Sequence, residues 1–240
     1  MDVLLDVSVQ HAGYTDHPQA VRDIHFSVRQ GELVGLIGAN GAGKSTTIKA
    51  ILNLLPHVNG EISFKEEQNR YAYIPEQPIL YEDLTLWEHL ELAAAAFAID
   101  AFRFETRAND LLDRFRMREA KHHLPDSFSK GMQQKLMMMI AFLIDPSVYI
   151  VDEPFVGLDP KATVDFLDLL DRKKKEGAGI LMSTHILDTA ERICDRFVLI
   201  HQGRCLAAGT LAELRQHFDR PSASLYDCFQ AVVEDTDERS

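Results

Sequence analysis

Apolar and polar residues alternate in the opening segment, where Ile24, Phe26 and Val28 fall on one face of an extended stretch that ends at a Gln30-Gly31 turn. Period-two alternation of this kind predicts half-buried antiparallel strands. The pattern changes at Leu33-Val34-Gly35-Leu36-Ile37, an unbroken apolar run that suits a strand covered on both faces. Similar runs recur at 148–151, 180–182 and 197–200, and segments 161–175 and 186–194 between them read as helices. Strands alternating with helices predict an α/β core with a mixed sheet.

Between residues 84 and 145 the strand pattern vanishes. Leu86, Leu90, Ala94 and Phe97, then Leu111, Leu112 and Phe115, then Leu136, Ile140 and Leu143 recur at helical spacing. This predicts an all-helical subdomain over 84–145, inserted into a core made of 1–83 and 146–215. A short C-terminal helix and tail are expected over 216–240, with the charged stretch from Glu234 frayed. The triplet Met137-Met138-Met139 lies on a helical stripe and reads as core filler rather than a ligand cluster.

Composition narrows the partners. The 240 residues carry 25 Lys and Arg against 37 Asp and Glu, a formal net charge of -12, which argues against a nucleic-acid surface. A hydrophobic share of 46% excludes wholesale disorder. Cys194, Cys205 and Cys228 form no CxxC pair, so neither a disulfide framework nor a zinc site is expected. The longest apolar run, 136–144, falls short of the roughly 20 residues a membrane-crossing helix needs. The start, Met1-Asp2-Val3-Leu4-Leu5-Asp6, has no basic region ahead of an apolar stretch, so no secretory leader and a cytoplasmic location are expected.

Three motifs carry chemistry. Gly38-Ala39-Asn40-Gly41-Ala42-Gly43-Lys44-Ser45 fits G-x-x-x-x-G-K-[ST], with a buried strand before it and a plausible helix, Ser45 to Leu52, after it. In such a loop backbone N–H groups curl around phosphate oxygens, Lys44 adds charge at the β and γ phosphates, and the Ser45 hydroxyl reaches Mg²⁺. The run 148–151 ends in Asp152-Glu153, which puts one carboxylate at the metal and the next where it can polarise an attacking water. Ser183-Thr184-His185 also ends an apolar strand, and His185 is expected at the γ-phosphate; the other nine histidines read as surface or packing residues.

With these residues the chain resembles the ATPase subunit of ATP-binding cassette transporters over nearly its whole length. The resemblance implies that 38–46, including Thr46, is the Walker A motif and 149–152 the Walker B motif, with Glu153 as the catalytic glutamate. It implies that Gly157-Leu158-Asp159 is the loop that crosses to a second subunit, that His185 is the switch histidine, and that Tyr14 stacks on adenine. The family signature, typically L-S-G-G-Q, is matched by Phe128-Ser129-Lys130-Gly131-Met132. Ser129 and Gly131 are retained for a γ-phosphate across a dimer interface, while Lys130 and Met132 depart from the pattern. In Tyr73-Ile74-Pro75-Glu76-Gln77-Pro78, Glu76 stands where the family usually has glutamine, and a carboxylate there is expected near Mg²⁺ or the attacking water.

These departures, with Leu225-Tyr226-Asp227-Cys228-Phe229 as an L-x-x-x-F ending, are similar to the Ecs-type branch of bacterial exporter subunits. The resemblance implies two ATP molecules sandwiched in a two-fold dimer of the chain, and a separate polytopic permease docked on the helical subdomain at the cytoplasmic face of the membrane. Two alternatives stay in view. One is a soluble cassette ATPase acting on ribosomes, nucleic acid or cofactor assembly, against which stand the single cassette and the charge of -12. The other is an unrelated P-loop kinase or GTPase, against which stands the lack of an Asn-Lys-x-Asp motif. The transported cargo leaves no mark on these residues.

Overall fold

The computed structural model describes residues 2–66 and 71–237, with side chains as far as Glu234. In chain order the elements are β1 (Val3–Gly13), β2 (Val21–Arg29), β3 (Leu33–Ile37), α1 (Lys44–Ile51), β4 (His57–Phe64), β5 (Tyr71–Ile74), α2 (Leu86–Ala96), α3 (Ala101–Arg114) and α4 (Lys130–Ile144). They continue with β6 (Val148–Asp152), α5 (Pro160–Lys175), β7 (Gly179–Thr184), α6 (Leu187–Ile193), β8 (Arg196–His201), β9 (Arg204–Gly209), α7 (Leu211–His217) and α8 (Leu225–Asp237). The chain divides into two compact units, Met1–Lys65 with Gly179–Ser240, and Glu66–Ala178.

In the first unit the strands run in the order β4-β1-β2-β9-β8-β3-β7. β1 pairs antiparallel with β2 and with β4, as the alternation near the N-terminus predicts. β3 lies between β7 and β8 and is parallel to both, in the register Ile37 opposite Thr184. Its five residues, like the six of β7, are all buried, which is why their sequences show no polar alternation.

The charged C-terminal stretch expected to fray is helical as far as Asp237. Two local causes hold it. Ser224 and Asp227 bond each other's backbone N–H at 2.9 and 3.2 Å, a reciprocal cap at the helix start. Leu225, Cys228 and Val232, at helical spacing, are buried with Ile37, Phe197 and Leu199.

In the second unit β5 and β6 pair in parallel, and α2, α3 and α4 supply an apolar core. Leu86, Leu90, Ala94, Leu111, Leu112, Phe115, Leu136 and Leu143 of the predicted stripes are buried, whereas Phe97 and Ile140 are only partly covered. Met138 and Met139 are wholly buried core residues. Thr85 and Glu88 start α2 with a capping box. Asp145, left-handed at φ 57°, ends α4 and takes ion pairs from Arg107 of α3 and Lys173 of α5, fastening three helices at one carboxylate.

Candidate functional site

The candidate residues fall into two sets, one in each unit. In the first, buried β3 runs directly into the glycine loop. Gly43 caps α1 at φ 107°, a conformation open to glycine, and a Cβ there would meet Val21 Cγ1 at 2.9 Å. No side chain caps α1, so the backbone N–H groups of its first turn, beginning at Lys44, Ser45 and Thr46, form a donor-rich positive helix end suited to phosphate. The Lys44 ammonium is buried and donates to the carbonyls of Gly38 at 2.9 Å and Ala39 at 3.2 Å, spanning the base of the loop. Ala39, Asn40 and Gly41 are exposed at the loop's outer edge, while Ala42 is buried and its carbonyl accepts from the Gly203 N–H at 2.9 Å.

His185 is exposed and follows β7 by one residue, just as Gly38 follows β3. Because Ile37 and Thr184 are parallel partners, the two chain exits lie side by side. Asn40 and His185 line one cavity of about 560 Å³, whose far wall is Tyr226 and Phe229 of α8. Tyr14 sits in a tight loop closed by two backbone bonds with His17, at 3.0 and 3.1 Å. Lys49 of α1 donates to the Tyr14 hydroxyl at 3.3 Å, and its ammonium stands 5.6 Å from the ring centre. Lys49 is a partner that sequence reasoning missed; its only signal is its place on the same short helix as Lys44.

The second set begins at the end of β6. Asp152 and Glu153 are both buried, and Glu153 has φ 45°, a left-handed value uncommon for a residue with a side chain. Backbone strain of this sort concentrates at working sites. Burial pushes the Tyr73 hydroxyl well above its ordinary pKa, with the charges of Asp152 and then Glu76 adding to the shift. Tyr73 therefore reports both carboxylates in its neighbourhood, Asp152 buried and Glu76 exposed. Carboxylates such as Asp152 and Glu76, rather than a closed cage, suit Mg²⁺ held largely through phosphate oxygens.

The start of α4 is exposed. Ser129 is its N-cap and accepts from the Met132 N–H at 3.3 Å, leaving its own hydroxyl proton to donate outward. Gly131 is required by close approach, since a Cβ there would meet the Gly157 carbonyl at 2.6 Å. The loop from Phe155 to Asp159 is thus packed on the α4 start. Asp159 caps α5 through the Ala162 N–H at 2.8 Å and takes Lys135 at 2.9 Å. The Lys135 ammonium, followed by the Ala162 bond, holds this exposed carboxyl below its usual range. The structure gathers Tyr14, Asn40, Lys44, Ser45, Thr46 and His185 in the first unit, and Glu76, Ser129, Gly131, Asp152, Glu153 and Asp159 in the second.

A cradle for phosphate, a paired carboxylate on a strained turn and a glycine-tight helix start agree with what comparison with known proteins returns. The family profile described as ABC transporter matches residues 21–156. The ABC transporter ATP-binding protein YthP of Bacillus subtilis (strain 168) is 51% identical over 234 residues, 98% of each chain. The ABC-type transporter ATP-binding protein EcsA of the same organism is 46% identical over 242 residues, 97% of each chain. A solved structure described as the ATP binding subunit of an ABC transporter superposes with a TM-score of 0.91 at 46% identity, over 96% of this chain and 99% of that one. The α/β fold expected from the strand and helix pattern is the fold of that subunit. Matched over most of its length, the chain belongs to the ABC transporter ATP-binding family, whose members bind ATP and hydrolyse it to power transport.

Proposed function

We propose that the chain powers a bacterial exporter, closing on ATP as a two-fold dimer and driving a separate membrane-spanning permease. The observation that carries this reading is the exposed start of α4, where Ser129, Lys130 and Gly131 lead a 15-residue helix. In an ATP-sandwich dimer that start grips the γ-phosphate of ATP held by the glycine loop of a second copy. The resemblance of Phe128 to Met132, Pro75-Glu76 and the Leu225 to Phe229 ending to Ecs-type subunits supports export.

In this reading Lys44 and the α1 amides hold the β and γ phosphates, while Ser45, Asp152 and Glu76 hold Mg²⁺. Bound Mg²⁺ neutralises charge on the phosphates. Glu153 takes the proton of the attacking water, and His185 steadies the γ-phosphate. Hydrolysis removes what the α4 start was gripping, and the pair opens. Ile79 and Tyr81, exposed at 78% and 64% on the loop beyond Glu76, and Phe102, exposed at 82% at the start of α3, are the apolar side chains this reading offers to the permease. The helical subdomain of residues 84–145 then carries the motion to the membrane. Among the described residues no helix is long and apolar enough to cross a membrane, so in this reading the chain joins the cytoplasmic face through that partner.

The test is affinity purification of the Glu153→Gln variant, with ATP, from detergent-solubilised native membranes. A polytopic membrane protein in stoichiometric amount is the expected companion. Ribosomes, nucleic acid or a soluble assembly in its place would overturn the transporter coupling.

Tyr14 gives a more local prediction. The Lys49 ammonium fixes the hydroxyl and one side of the ring, preparing the ring to stack on adenine. Lys49→Met should raise the KM for ATP about threefold to tenfold and leave kcat in place, the size of one cation–aromatic contact. Steady-state turnover against ATP concentration reads both constants.

A further inference from the structure

Gln134 is 2% exposed within α4, five residues beyond the Ser129 cap. A buried amide is costly unless both its ends find partners. Here only one does: Nε2 donates to the Pro75 carbonyl at 3.2 Å, while Oε1 is buried with no hydrogen-bond partner. An apolar side chain of the same length would remove that orphaned acceptor but strip the buried Pro75 carbonyl of its donor, so the glutamine is accounted for by the carbonyl it holds rather than by packing.

What the amide holds is informative. Pro75 follows β5 and immediately precedes Glu76; it has no N–H, so its carbonyl is the only backbone polar group by which that residue can be held. The neighbouring positions on α4 reach other segments in the same way. Gln133 Nε2 donates to the Pro125 carbonyl at 3.1 Å, ahead of the signature stretch, and Lys135 Nζ pairs with Asp159 at 2.9 Å. Three successive side chains near the start of α4 thus tie it to three loops, and the buried one reaches the loop of Glu76.

Resting on the proposed roles of Glu76 and of the Ser129 to Gly131 start, we infer that Gln134 is a positioning residue for ATP hydrolysis. Its amide keeps the Glu76 loop in register with the α4 start, so that the carboxylate and the phosphate-gripping turn move together. It touches no substrate itself.

The test is ATPase kinetics on the full chain with Gln134→Met, which keeps the volume and removes the donor, and Gln134→Glu, which removes the donor when ionised. Both should lower kcat about tenfold, the effect of one lost buried hydrogen bond, with the KM for ATP unchanged. The methionine variant should melt within a few degrees of the parent, since it exchanges one orphaned acceptor, Gln134 Oε1, for another, the Pro75 carbonyl. In a Glu76→Ala background Gln134→Met should change kcat by less than about twofold, because the group it positions is gone. Parental kcat in Gln134→Met would overturn the inference, and so would an equal loss with and without Glu76 or a KM that rises in step. A Glu76→Ala single variant with parental kcat would instead strike the role of Glu76.

Discussion

Glu153→Gln is expected to slow ATP hydrolysis by about 10² to 10⁴-fold, the range for removing a positioned general base. The glutamine amide is nearly isosteric with the carboxylate and can take its place on the φ 45° turn, so binding should survive while proton abstraction fails. ATP should then persist in the site, and the protein should collect as a closed dimer. Light scattering during size-exclusion chromatography would show twice the protomer mass with ATP and one protomer mass without it. Turnover within a few-fold of the parent would remove Glu153 from the role of base, and an ATP-independent monomer would remove the sandwich.

Lys44→Met should act one step earlier, on binding. The ammonium is buried at 5% exposure and is held at the loop base by two carbonyls, so a neutral side chain loses its charge-assisted bonds to phosphate and unties the loop as well. Hydrogen bonds to a charged group are worth about 1.5 to 3 kcal/mol, which corresponds to roughly 10- to 100-fold weaker ATP binding. Titration with a fluorescent ATP analogue would measure it. Lys44→Arg should not restore affinity, because a planar fork cannot replace a compact ammonium in a loop this closed. Parental affinity in Lys44→Met would show that the α1 amides hold the phosphates unaided.

These two residues were legible because their signals are local. Strand, glycine loop and helix are contiguous from Leu33 to Ile51, and an apolar strand ending in paired acids needs no distant partner to be noticed. His185 could be read for the same reason, since a buried parallel strand delivers its next residue to the same edge as the glycine loop. What the sequence hid depends on distance. Tyr14 and Lys49 are 35 positions apart and Pro75 and Gln134 are 59 apart, and each bond joins a side chain to a group whose own neighbourhood gives no sign of it. β4 was obscure for another reason. None of its residues is fully buried, and the alternation of half-buried Val58, Ile62 and Phe64 is interrupted at Gly60, so the apolar signal is weak. The extension of α8 to Asp237 was masked by its charged end, although Leu225, Cys228 and Val232 already had helical spacing.

The placement of β3 between β7 and β8 bears on how the protein is born. A ribosome makes β3 early, yet both of its partners lie beyond residue 178, after the whole second unit. At roughly 5 to 20 residues per second, the nascent strand waits on the order of ten seconds with both edges unpaired. Leu33-Val34-Gly35-Leu36-Ile37 is entirely apolar, the kind of strand that pairs with whatever reaches it first. The strand that leads into the phosphate loop is therefore open to mispairing throughout this interval, and a messenger that paused translation shortly before the β7 codons would lengthen the time it spends at risk.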